Sequence, residues 1–484
     1  MKPFSLALIA LLTCGHLATA ETDAKKPNIL FIFADDLGWK DVGYQGAGFI
    51  ETPRIDALAK SGMVFSNGYA PAANCQPSRA CLLSGQYTPR HDVYAVNTTN
   101  RGPKEHMRMV PVPNKSGIPA KEFAMPDALK SAGYATGMFG KWHLGGADGC
   151  NPKEQGFDVY YDSAKGGNPN ASRGKVQEDP KGIFSMSEQA AKFMEENAKA
   201  KKPFFVFMSH HAIHTALESK KETLAHFEAK VASGAKGDPL YAACAKDLDS
   251  GVGVLLDKLD ELGIAENTIV VFTSDNGGTR GSSQEPLRGN KGCYYEGGIR
   301  EPFIVRWPGV TKPGSVNATP VLNIDLFPTF ADAAGAKIPA DKILDGESLR
   351  ALCRGEKLQR ESIFWHFPGY LDQAVHRGRE LDMRTGFRTR PISVIRKGEW
   401  KLHLFHEEWL LDGGREKIAT NNAVELYHLS EDIGEHKNLA NINTGKRDEL
   451  LEELLAWCKY TNAKFPTPRD RAPKPEKKTK EKAK

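Results

Sequence analysis

The sequence predicts an α/β fold: a large, mostly parallel sheet with helices on both faces, followed by a smaller C-terminal antiparallel sheet with a helix. Four apolar runs lack the alternation of apolar and polar residues, which indicates strands that are covered on both faces. Helical stretches separate these runs, and alternating strands and helices are typical of an open α/β sheet. Shorter strand-like segments divided by turns follow near the C-terminus, and they predict the second sheet.

Each of the four apolar runs ends in polar residues that can take part in chemistry. The runs and the residues that follow them are 28–34 with Asp35 and Asp36, 134–139 with Lys141 and His143, 204–208 with His210, His211 and His214, and 268–273 with Asp275 and Asn276. The helices predicted between them are residues 54–60, 125–131, 187–200 and 240–262. Ligands of open parallel sheets bind beyond the carboxyl ends of the strands. We therefore expect the four polar clusters to face one cleft.

From about residue 356 the pattern changes to short strands, which are predicted at 392–395, 400–404 and 425–429. An amphipathic helix over residues 447–460 places Leu450, Leu451 and Leu454 on one face, and we expect it to back that sheet. The Pro- and Lys-rich end of the chain is expected to be disordered. The predicted units are an α/β domain over 27–355, a C-terminal subdomain over 356–463 and a disordered basic tail over 464–484.

The first twenty residues resemble an export signal. Lys2 precedes an apolar run over residues 4–12, and small residues at 18–20 form a cleavage site. That run is too short to anchor the chain in a bilayer, and no later segment is apolar for long enough. We therefore expect residues 1–20 to be a signal peptide and the protein to be exported, periplasmic or secreted, with no stable membrane anchor.

Composition limits the other partners. The formal net charge of +5 is modest and much of it lies in the tail, so a nucleic-acid partner is not indicated. Seven cysteines follow the predicted cleavage site, and none forms a CxxC pair, which argues against a zinc site. An oxidising compartment would permit disulfides, but the sequence does not pair the cysteines and does not indicate an oligomeric state.

The stretch around Cys75 is predicted to be a loop that turns into a helix. Pro77 suits the first helical position, and Gly85 can end the helix. Cys75 would then precede a helix N-terminus, where unpaired N–H groups favour an anionic nucleophile or an anionic substrate. Arg79 can reach back over the same end. Taken alone, such a match is more often a buried cysteine beside a surface arginine.

This stretch, Asn-Cys-Gln-Pro-Ser-Arg-Ala-Cys-Leu-Leu-Ser-Gly over residues 74–85, resembles the maturation motif of the type I, formylglycine-dependent sulfatases. These arylsulfatase A-like enzymes belong to the alkaline phosphatase superfamily. In that family a formylglycine-generating enzyme oxidises the cysteine of C-x-P-S-R to Cα-formylglycine. Ser84 replaces the more usual threonine. The resemblance extends from residue 27 to about residue 439.

Asp35, Asp36, Asp275 and Asn276 offer three carboxylates and one amide oxygen. Such oxygen donors suit Ca²⁺ or Mg²⁺ better than zinc. Taken alone, each pair is more often an Asx turn or a helix cap. The resemblance implies that these four residues, with Cys75, bind one calcium ion, although the spacing alone does not exclude magnesium.

Residues 133–143 resemble the second sulfatase signature. The resemblance implies that Lys141 contacts the sulfate group and that His143 acts as a base. His214 is the best match to the functional histidine of the third cluster, although the proline that usually follows is absent. His210 and His211 are then expected to be structural.

The glycine-rich loop over residues 288–302 supplies the last expected site residue. Lys291 occupies the lysine position of the family, and the resemblance implies that Glu296 and Arg300 support the loop. The arginine-rich loop over residues 370–390 has two interpretations that the sequence leaves open. It either lines a subsite for an anionic sugar or is a solvated basic loop.

The resemblance implies hydrolysis of a sulfate ester of an alcohol or sugar, such as a sulfated polysaccharide or oligosaccharide. In the family mechanism Arg79, Lys141 and Lys291 bind the sulfate, and one hydroxyl of hydrated formylglycine attacks sulfur. His214, assisted by Lys291, protonates the leaving alcohol, and His143 deprotonates the second hydroxyl so that sulfate leaves. Two alternatives remain: a phosphate mono- or diester hydrolase of the same superfamily, and a non-catalytic binder of sulfated glycans if Cys75 is not oxidised.

Overall fold

The structure is a computed structural model that describes residues 26–163, 174–279, 281–373 and 377–470. The predicted signal peptide and residues 471–484 of the predicted tail lie outside the described residues. Among the described residues, no helix combines the length and the apolar character that crossing a membrane requires.

The first two-thirds of the chain form a large sheet and short accessory strands. Their bounds are β1 Asn28–Ala34, β2 Met63–Phe65, β3 Gly68–Tyr69, β4 Met109–Val110, β5 Ala135–Gly140, β6 Val159–Tyr161, β7 Phe204–Ser209, β8 Thr268–Ser274, β9 Arg300–Glu301, β10 Ile304–Arg306, β11 Ser315–Asn317 and β12 Val321–Leu322. The large sheet has the order β11-β2-β10-β8-β1-β7-β5-β6. Its neighbours are parallel except that β10 runs antiparallel to β2 and β8. The predicted fold class is confirmed.

Helices cover both faces of this sheet. The helices of this part of the chain are α1 Pro53–Ser61, α2 Cys75–Ser84, α3 Thr88–His91, α4 Met125–Ser131, α5 Ile183–Lys199, α6 Lys221–Ala232, α7 Pro239–Glu261, α8 Glu296–Ile299, α9 Leu326–Ala334 and α10 Arg350–Cys353. Alternate residues of a strand point to opposite faces. Accordingly, Phe31 and Phe33 of β1 pack in one core with α2, α4 and α9, whereas Leu30 and Ile32 pack in another with α1, α5 and α7.

The C-terminal part contains the predicted antiparallel sheet and its helix. The remaining elements are β13 Ser362–Phe367, β14 Leu371–Asp372, α11 Glu380–Arg384, β15 Phe387–Thr389, β16 Ile392–Lys397, β17 Trp400–Phe405, α12 His406–Leu411, β18 Val424–His428, α13 Thr444–Tyr460 and β19 Thr467–Pro468. The sheet has the order β13-β16-β17-β18 and is antiparallel throughout. β13 was not among the predicted strands. α13 packs on the sheet through Leu450, Leu451 and Leu454.

Short 3₁₀ turns complete the chain. Their bounds are Gly43–Gln45, Lys104–His106, Pro152–Gln155, Pro180–Gly182, Ala265–Asn267, Asn323–Asp325 and Gly414–Lys417. The helices predicted at 187–200 and 447–460 begin earlier, at Ile183 and Thr444. The helices predicted at 54–60, 125–131 and 240–262 agree with the structure to within one residue at each end. The seven cysteines of the described residues are all buried and unpaired, so the disulfides that the sequence permitted are absent there.

The first residues of the predicted disordered tail lie on the folded body. Thr467–Pro468 pairs with Met109–Val110 in an antiparallel bridge. The ring of Phe465 packs against the imidazole rings of His366 and His406, at centroid distances of 5.6 and 4.7 Å. Because Phe465 buries apolar surface in an otherwise polar stretch, residues 464–470 differ from the disordered segment that we expected.

Buried histidines make stability depend on pH. His366 is hydrogen-bonded through Nδ1 to Ser393 Oγ at 2.8 Å and through Nε2 to the Lys464 carbonyl oxygen at 2.9 Å. Burial lowers the pKa of His366 to about 4, from an ordinary value of 6.5. Between these values the unfolded chain binds a proton that the folded chain does not, so this histidine lowers the free energy of unfolding as pH falls. The loss is about 1.4 kcal/mol per pH unit.

We therefore expect denaturant unfolding to show a smaller loss of stability from pH 6.5 to pH 4.5 in His366→Gln than in the wild type. His106→Gln is the control, because His106 is exposed. An equal pH dependence in His366→Gln and the wild type would contradict the prediction.

Candidate active site

Cys75 is the first residue of α2, and Asn74, in an extended conformation, occupies the N-cap position without a hydrogen bond from its side chain to the helix. Pro77 is therefore the third helical residue and not the first, which the helix tolerates because that N–H also has no intrahelical partner. Gly85 ends the helix in the left-handed conformation, with φ 68°. Every residue of α2 is buried, and burial raises the pKa of the Cys75 thiol in spite of Lys141 and Lys291. Burial thus opposes the thiolate that the helix terminus alone would favour.

The carboxylates that follow β1 and β8 meet beside Cys75. The two strands are parallel neighbours, with Ala34 opposite Ser274, so the residues after them come together. The Asp36 N–H donates to Asp275 Oδ1 at 3.1 Å, and Asn276 Nδ2 donates to Asp36 Oδ1 at 2.8 Å. Asp35, Asp36, Asp275 and Asn276 are all fully buried.

The loop that contains α8 holds the end of β8 in place. The Gly277 N–H donates to the Gly298 carbonyl at 3.0 Å, and a Cβ on Gly277 would lie 2.1 Å from the Gly297 carbonyl oxygen. Glycine is therefore required there for the close approach of the two backbones. Glu296 anchors the loop by accepting from Lys401 at 2.9 Å and from Tyr69 at 2.7 Å. Glu296 thus supports the loop, as the sequence predicted.

Three cations are each paired with one of these carboxylates. Lys141 Nζ lies 2.5 Å from Asp35 Oδ2, and Lys291 Nζ lies 2.5 Å from Asp36 Oδ1 and 4.0 Å from Cys75 Sγ. Arg79 donates to Asp275 Oδ2 through Nη2 at 2.8 Å and through Nε at 3.1 Å.

Arg79 lies behind the carboxylates and does not line the cavity in front of Cys75. Its Nη1 donates to Ser209 Oγ at 2.6 Å. Sequence analysis did not single out Ser209, because a serine after a buried strand carries no distinctive pattern.

The neighbouring charges shift the pKa values of Asp35 and Asp275 in opposite directions. Burial alone would raise the pKa of Asp35, but Lys141, with His214, Arg79 and Lys291, holds it well below its usual range. Burial and the neighbouring Asp35 carboxylate raise the pKa of Asp275 to about 7. Ionisation of Asp275 in this buried position beside Asp35 is therefore unfavourable without a further positive charge.

The residues present fit a hard divalent cation. Within the part of the chain that the structure describes, Asp35 Oδ1, Asp36 Oδ2 and Asn276 Oδ1 are buried and accept no hydrogen bond. Donor atoms of Asp35, Asp275 and Cys75 lie within 4.8 Å of one another, and those of Asp35, Asp36 and His214 form a second such group. Buried acceptors are rarely left unpaired, and oxygen donors are the ligands that Ca²⁺ and Mg²⁺ prefer.

The four histidines that follow the strands differ in whether they line the cavity. His143 and His214 line the cavity in front of Cys75, and His214 Nε2 lies 3.8 Å from Asp36 Oδ2. Burial lowers the pKa of both imidazoles, that of His143 well below its usual range. His211 also lines the cavity but is bonded to Asp162 Oδ1 at 3.0 Å. His210 is fully buried and does not line the cavity.

The cavity has a volume of about 1400 Å³, and it is also lined by several side chains that sequence analysis did not assign to the site. These include Arg101, Tyr160, Asp162, Gln373, Arg377 and Arg388. Neither interpretation of the loop over residues 370–390 holds for all its arginines. Arg377 and Arg388 line the cavity, Arg379 and Arg390 are buried in ion pairs with Asp382 and Glu408, and Arg384 is exposed.

The chain matches known proteins over most of its length. The family model described as Sulfatase matches residues 27–336, and the one described as N-sulphoglucosamine sulphohydrolase, C-terminal, matches residues 289–409. A protein of Formosa agariphila named Sulfatase is 33% identical, with 96% of this chain and 95% of that protein covered. Arylsulfatase A of Homo sapiens is 32% identical, with 90% and 88% covered. The solved structure of Ps i-CgsB in complex with k-i-k-neocarrahexaose has a TM-score of 0.70 and 28% identity, with 91% and 95% covered.

Proposed function

The chain belongs to the sulfatase family of sulfuric ester hydrolases, and from this premise we propose that it removes sulfate from sulfated polysaccharides or their oligosaccharides. The proposed nucleophile is a hydrated formylglycine made from Cys75, and the proposed metal is one Ca²⁺ ion. The observation that carries the proposal is the meeting of Cys75, unpaired buried oxygen atoms and cationic side chains at one cavity. Release of free sulfate from sulfated oligosaccharides tests it.

The proposed ligands of the metal are Asp35, Asp36, Asp275, Asn276 and the modified Cys75. When bound, the ion would polarise a sulfate oxygen as a Lewis acid. Formylglycine, once hydrated, supplies two hydroxyls on one carbon. One hydroxyl can attack sulfur, and loss of the proton of the other can release sulfate. A serine ester lacks that second hydroxyl, which is the reason for the modification.

Lys141 and Lys291 are the proposed contacts for the sulfate group. An ammonium group has three N–H donors. Each lysine lines the cavity and spends a donor on Asp35 or Asp36, so further donors remain for sulfate oxygens. Burial opposes the charge of Lys291, but Asp36 and its neighbours raise the pKa of this lysine above its usual value. Both lysines therefore stay cationic as negative charge develops on the leaving oxygen.

His143 and His214 are the proposed proton carriers. Burial and the charges of Lys141 and Arg79 keep His143 neutral, so its ring can accept a proton. The His143 Nδ1 atom is buried and makes no hydrogen bond to the described residues. His214, which is 22% exposed in its side chain, faces the cavity where the alcohol would leave. Burial lowers the pKa of His214 and opposes its protonated form, whereas Asp35 and Asp36 favour that form. The proposed general acid is His214, assisted by Lys291.

His214→Ala is expected to lower kcat for a sulfated sugar about 10²- to 10⁴-fold, the usual contribution of a general acid. The loss should be much smaller for nitrophenyl sulfate, because nitrophenolate leaves without needing a proton. The matched control is His211→Ala, since His211 lines the same cavity but is held by Asp162. Equal losses of kcat for both substrates in His214→Ala would remove His214 from the acid role.

Assays of ester turnover and sulfate release also distinguish sulfate ester hydrolysis from the two alternative functions. Phosphate mono- or diester hydrolysis would appear as turnover of nitrophenyl phosphate at a higher kcat/KM than nitrophenyl sulfate. A glycan binder without turnover would bind sulfated oligosaccharides and release no sulfate. We favour sulfate ester hydrolysis because Cys75 of the C-x-P-S-R motif lines one cavity together with Lys141, His143, His214 and Lys291.

Two further parts of the proposal concern the cell. Oxidation of Cys75 requires a formylglycine-generating enzyme as a partner. Export through the signal peptide predicted at residues 1–20 would bring the protein to the periplasm or the medium, where sulfated polysaccharides are met. The N-terminal sequence of the mature protein from its host tests the predicted cleavage.

A further inference from the structure

Arg388 differs from the other lysines and arginines of the cavity in its charge partner. Lys141 and Lys291 are paired with Asp35 and Asp36. Arg101 is paired with Asp372 at 2.6 Å, and Arg377 with Glu285 at 3.1 Å. Among the residues that the structure describes, no carboxylate lies within ion-pair distance of Arg388, and its guanidinium lines the cavity with its charge unpaired.

The side chain of Arg388 is held in place by backbone and amide oxygens. Its Nη1 donates to the Lys291 carbonyl at 3.2 Å, and Nη2 reaches Gln373 Oε1 at 3.4 Å. It crosses directly over Gly292, where a Cβ would lie 2.0 Å from Arg388 Cδ. The absence of a side chain at Gly292 therefore makes the space through which Arg388 reaches the cavity. The contact also places Arg388 beside the backbone of Lys291, a proposed sulfate-binding residue.

The position of the Arg388 guanidinium is energetically unfavourable when no ligand is bound in the cavity. Arg388 is half-buried, and burial lowers the pKa of its guanidinium. Among the neighbouring groups, Cys293, Asp372 and Asp36 raise that pKa and Arg101 lowers it, but neither carboxylate lies within ion-pair distance of Arg388. The carbonyl and amide oxygens replace part of the hydration that this partly buried cation loses, but they supply no counter-charge. An anionic group bound in the cavity would supply the missing charge.

We propose that Arg388 forms a second anion subsite, in the cavity that Arg101 also lines, which binds a carboxylate or an additional sulfate of the substrate. The inference rests on the proposed function, since it assumes that the scissile sulfate binds at Cys75 and Lys291. A planar guanidinium matches the two oxygens of a carboxylate or of a sulfate with parallel N–H donors. The preferred substrate would then be a glycan with a second negative group, on the sulfated sugar or on the next one.

The test compares kcat/KM of the wild type and Arg388→Gln on three sulfate esters. Nitrophenyl sulfate has no second anion, a disulfated monosaccharide offers a second sulfate, and a sulfated disaccharide with a uronic acid offers a carboxylate. Loss of a charged hydrogen bond should lower kcat/KM about 10- to 100-fold on the ester that the subsite recognises. The loss on nitrophenyl sulfate should stay within about threefold, and Arg388→Lys should recover part of the loss because it restores the charge.

Arg384→Gln is the matched control, because Arg384 lies in the same loop but is exposed and paired with Glu380. It should leave kcat/KM as in the wild type on all three esters. The thermal unfolding midpoint of each variant checks that its fold is intact. The dianionic ester on which Arg388→Gln loses more kcat/KM identifies the anion as carboxylate or sulfate.

Two results would overturn the subsite. One is an equal loss on all three esters, which would make Arg388 a support of the reaction centre. The other is no loss on either dianionic ester. Failure of the proposed function is distinguishable, because the wild type would then release no sulfate from any ester. In that case the dissociation constants of the two dianionic sugars are compared in Cys75→Ala with and without Arg388→Gln. Equal constants would overturn the subsite as well.

Discussion

Cys75→Ala is expected to fold and to release no free sulfate under conditions in which the wild type, co-expressed with a formylglycine-generating enzyme, turns over repeatedly. Loss of a covalent nucleophile typically lowers kcat on the order of 10⁶-fold. The substitution removes the nucleophile and one proposed metal ligand, and it leaves the other four proposed ligands and the cations in place. Ligand binding should therefore persist, which separates a lost reaction from a lost fold.

Cys75→Ser has a different expected result. Its hydroxyl can attack sulfur once, displace the alcohol and form a sulfate ester of serine. Because serine has no second hydroxyl on the same carbon, the ester cannot collapse to a carbonyl. The variant should release at most one alcohol per protein and no free sulfate, and intact-mass measurement would detect the bound sulfate.

Cys81→Ala is the matched control on the same helix. The Cys81 thiol lies 3.4 Å from His91 Nε2 and does not line the cavity. We expect it to retain turnover. Wild-type protein made without the generating enzyme should be as inactive as Cys75→Ala, and co-expression should rescue the wild type alone. Sustained sulfate release by Cys75→Ala would end the proposed mechanism.

Removal of the metal is expected to lower kcat on the order of 10³-fold or more, because it removes a divalent charge aimed at the transition state. Calcium should restore activity best. Binding at about a hundredfold excess over Kd should also raise the free energy of unfolding by about 2.7 kcal/mol. Thermal unfolding of the chelated protein, with and without added calcium at matched ionic strength, measures this rise independently of activity.

Asn276→Ala should need more calcium for the same rise in the unfolding temperature, since it deletes the unpaired Oδ1 acceptor. Asn441→Ala is the control, because Asn441 is exposed and does not line the cavity. Elemental analysis that finds zinc and neither calcium nor magnesium would show that the ligand assignment is wrong. If magnesium alone raises the unfolding temperature, the proposed ion becomes Mg²⁺ and the proposed ligands stay the same.

Much of the large sheet was predictable because its central strands are continuous apolar runs. The meeting of Asp36 with Asp275 followed from the same pattern, since parallel strands end at one edge of a sheet. The partner of Arg79 was not predictable, because its contact with Asp275 joins residues far apart in the chain. The division of the chain at residue 355 and the roles assigned to the site residues stay predictions.

The loops were the least predictable part. Composition alone could not show that Arg388 crosses Gly292 to reach the cavity while Arg384 stays exposed, because both lie in one basic stretch. Residues 464–470 present the same limit. They begin a Pro- and Lys-rich tail whose composition favours disorder, but the contact of Phe465 with His366 and His406 depends on the folded sheet.

The mass of the peptide that contains residue 75, from protein purified from its native host, tests the central claim most directly. Oxidation to formylglycine replaces the thiol with an aldehyde, which changes the peptide mass and makes it reactive toward hydrazide reagents. We expect the aldehyde form in the active protein, and reduction of the aldehyde with borohydride should abolish sulfate release. An unmodified Cys75 in a preparation that still releases sulfate would contradict the formylglycine mechanism.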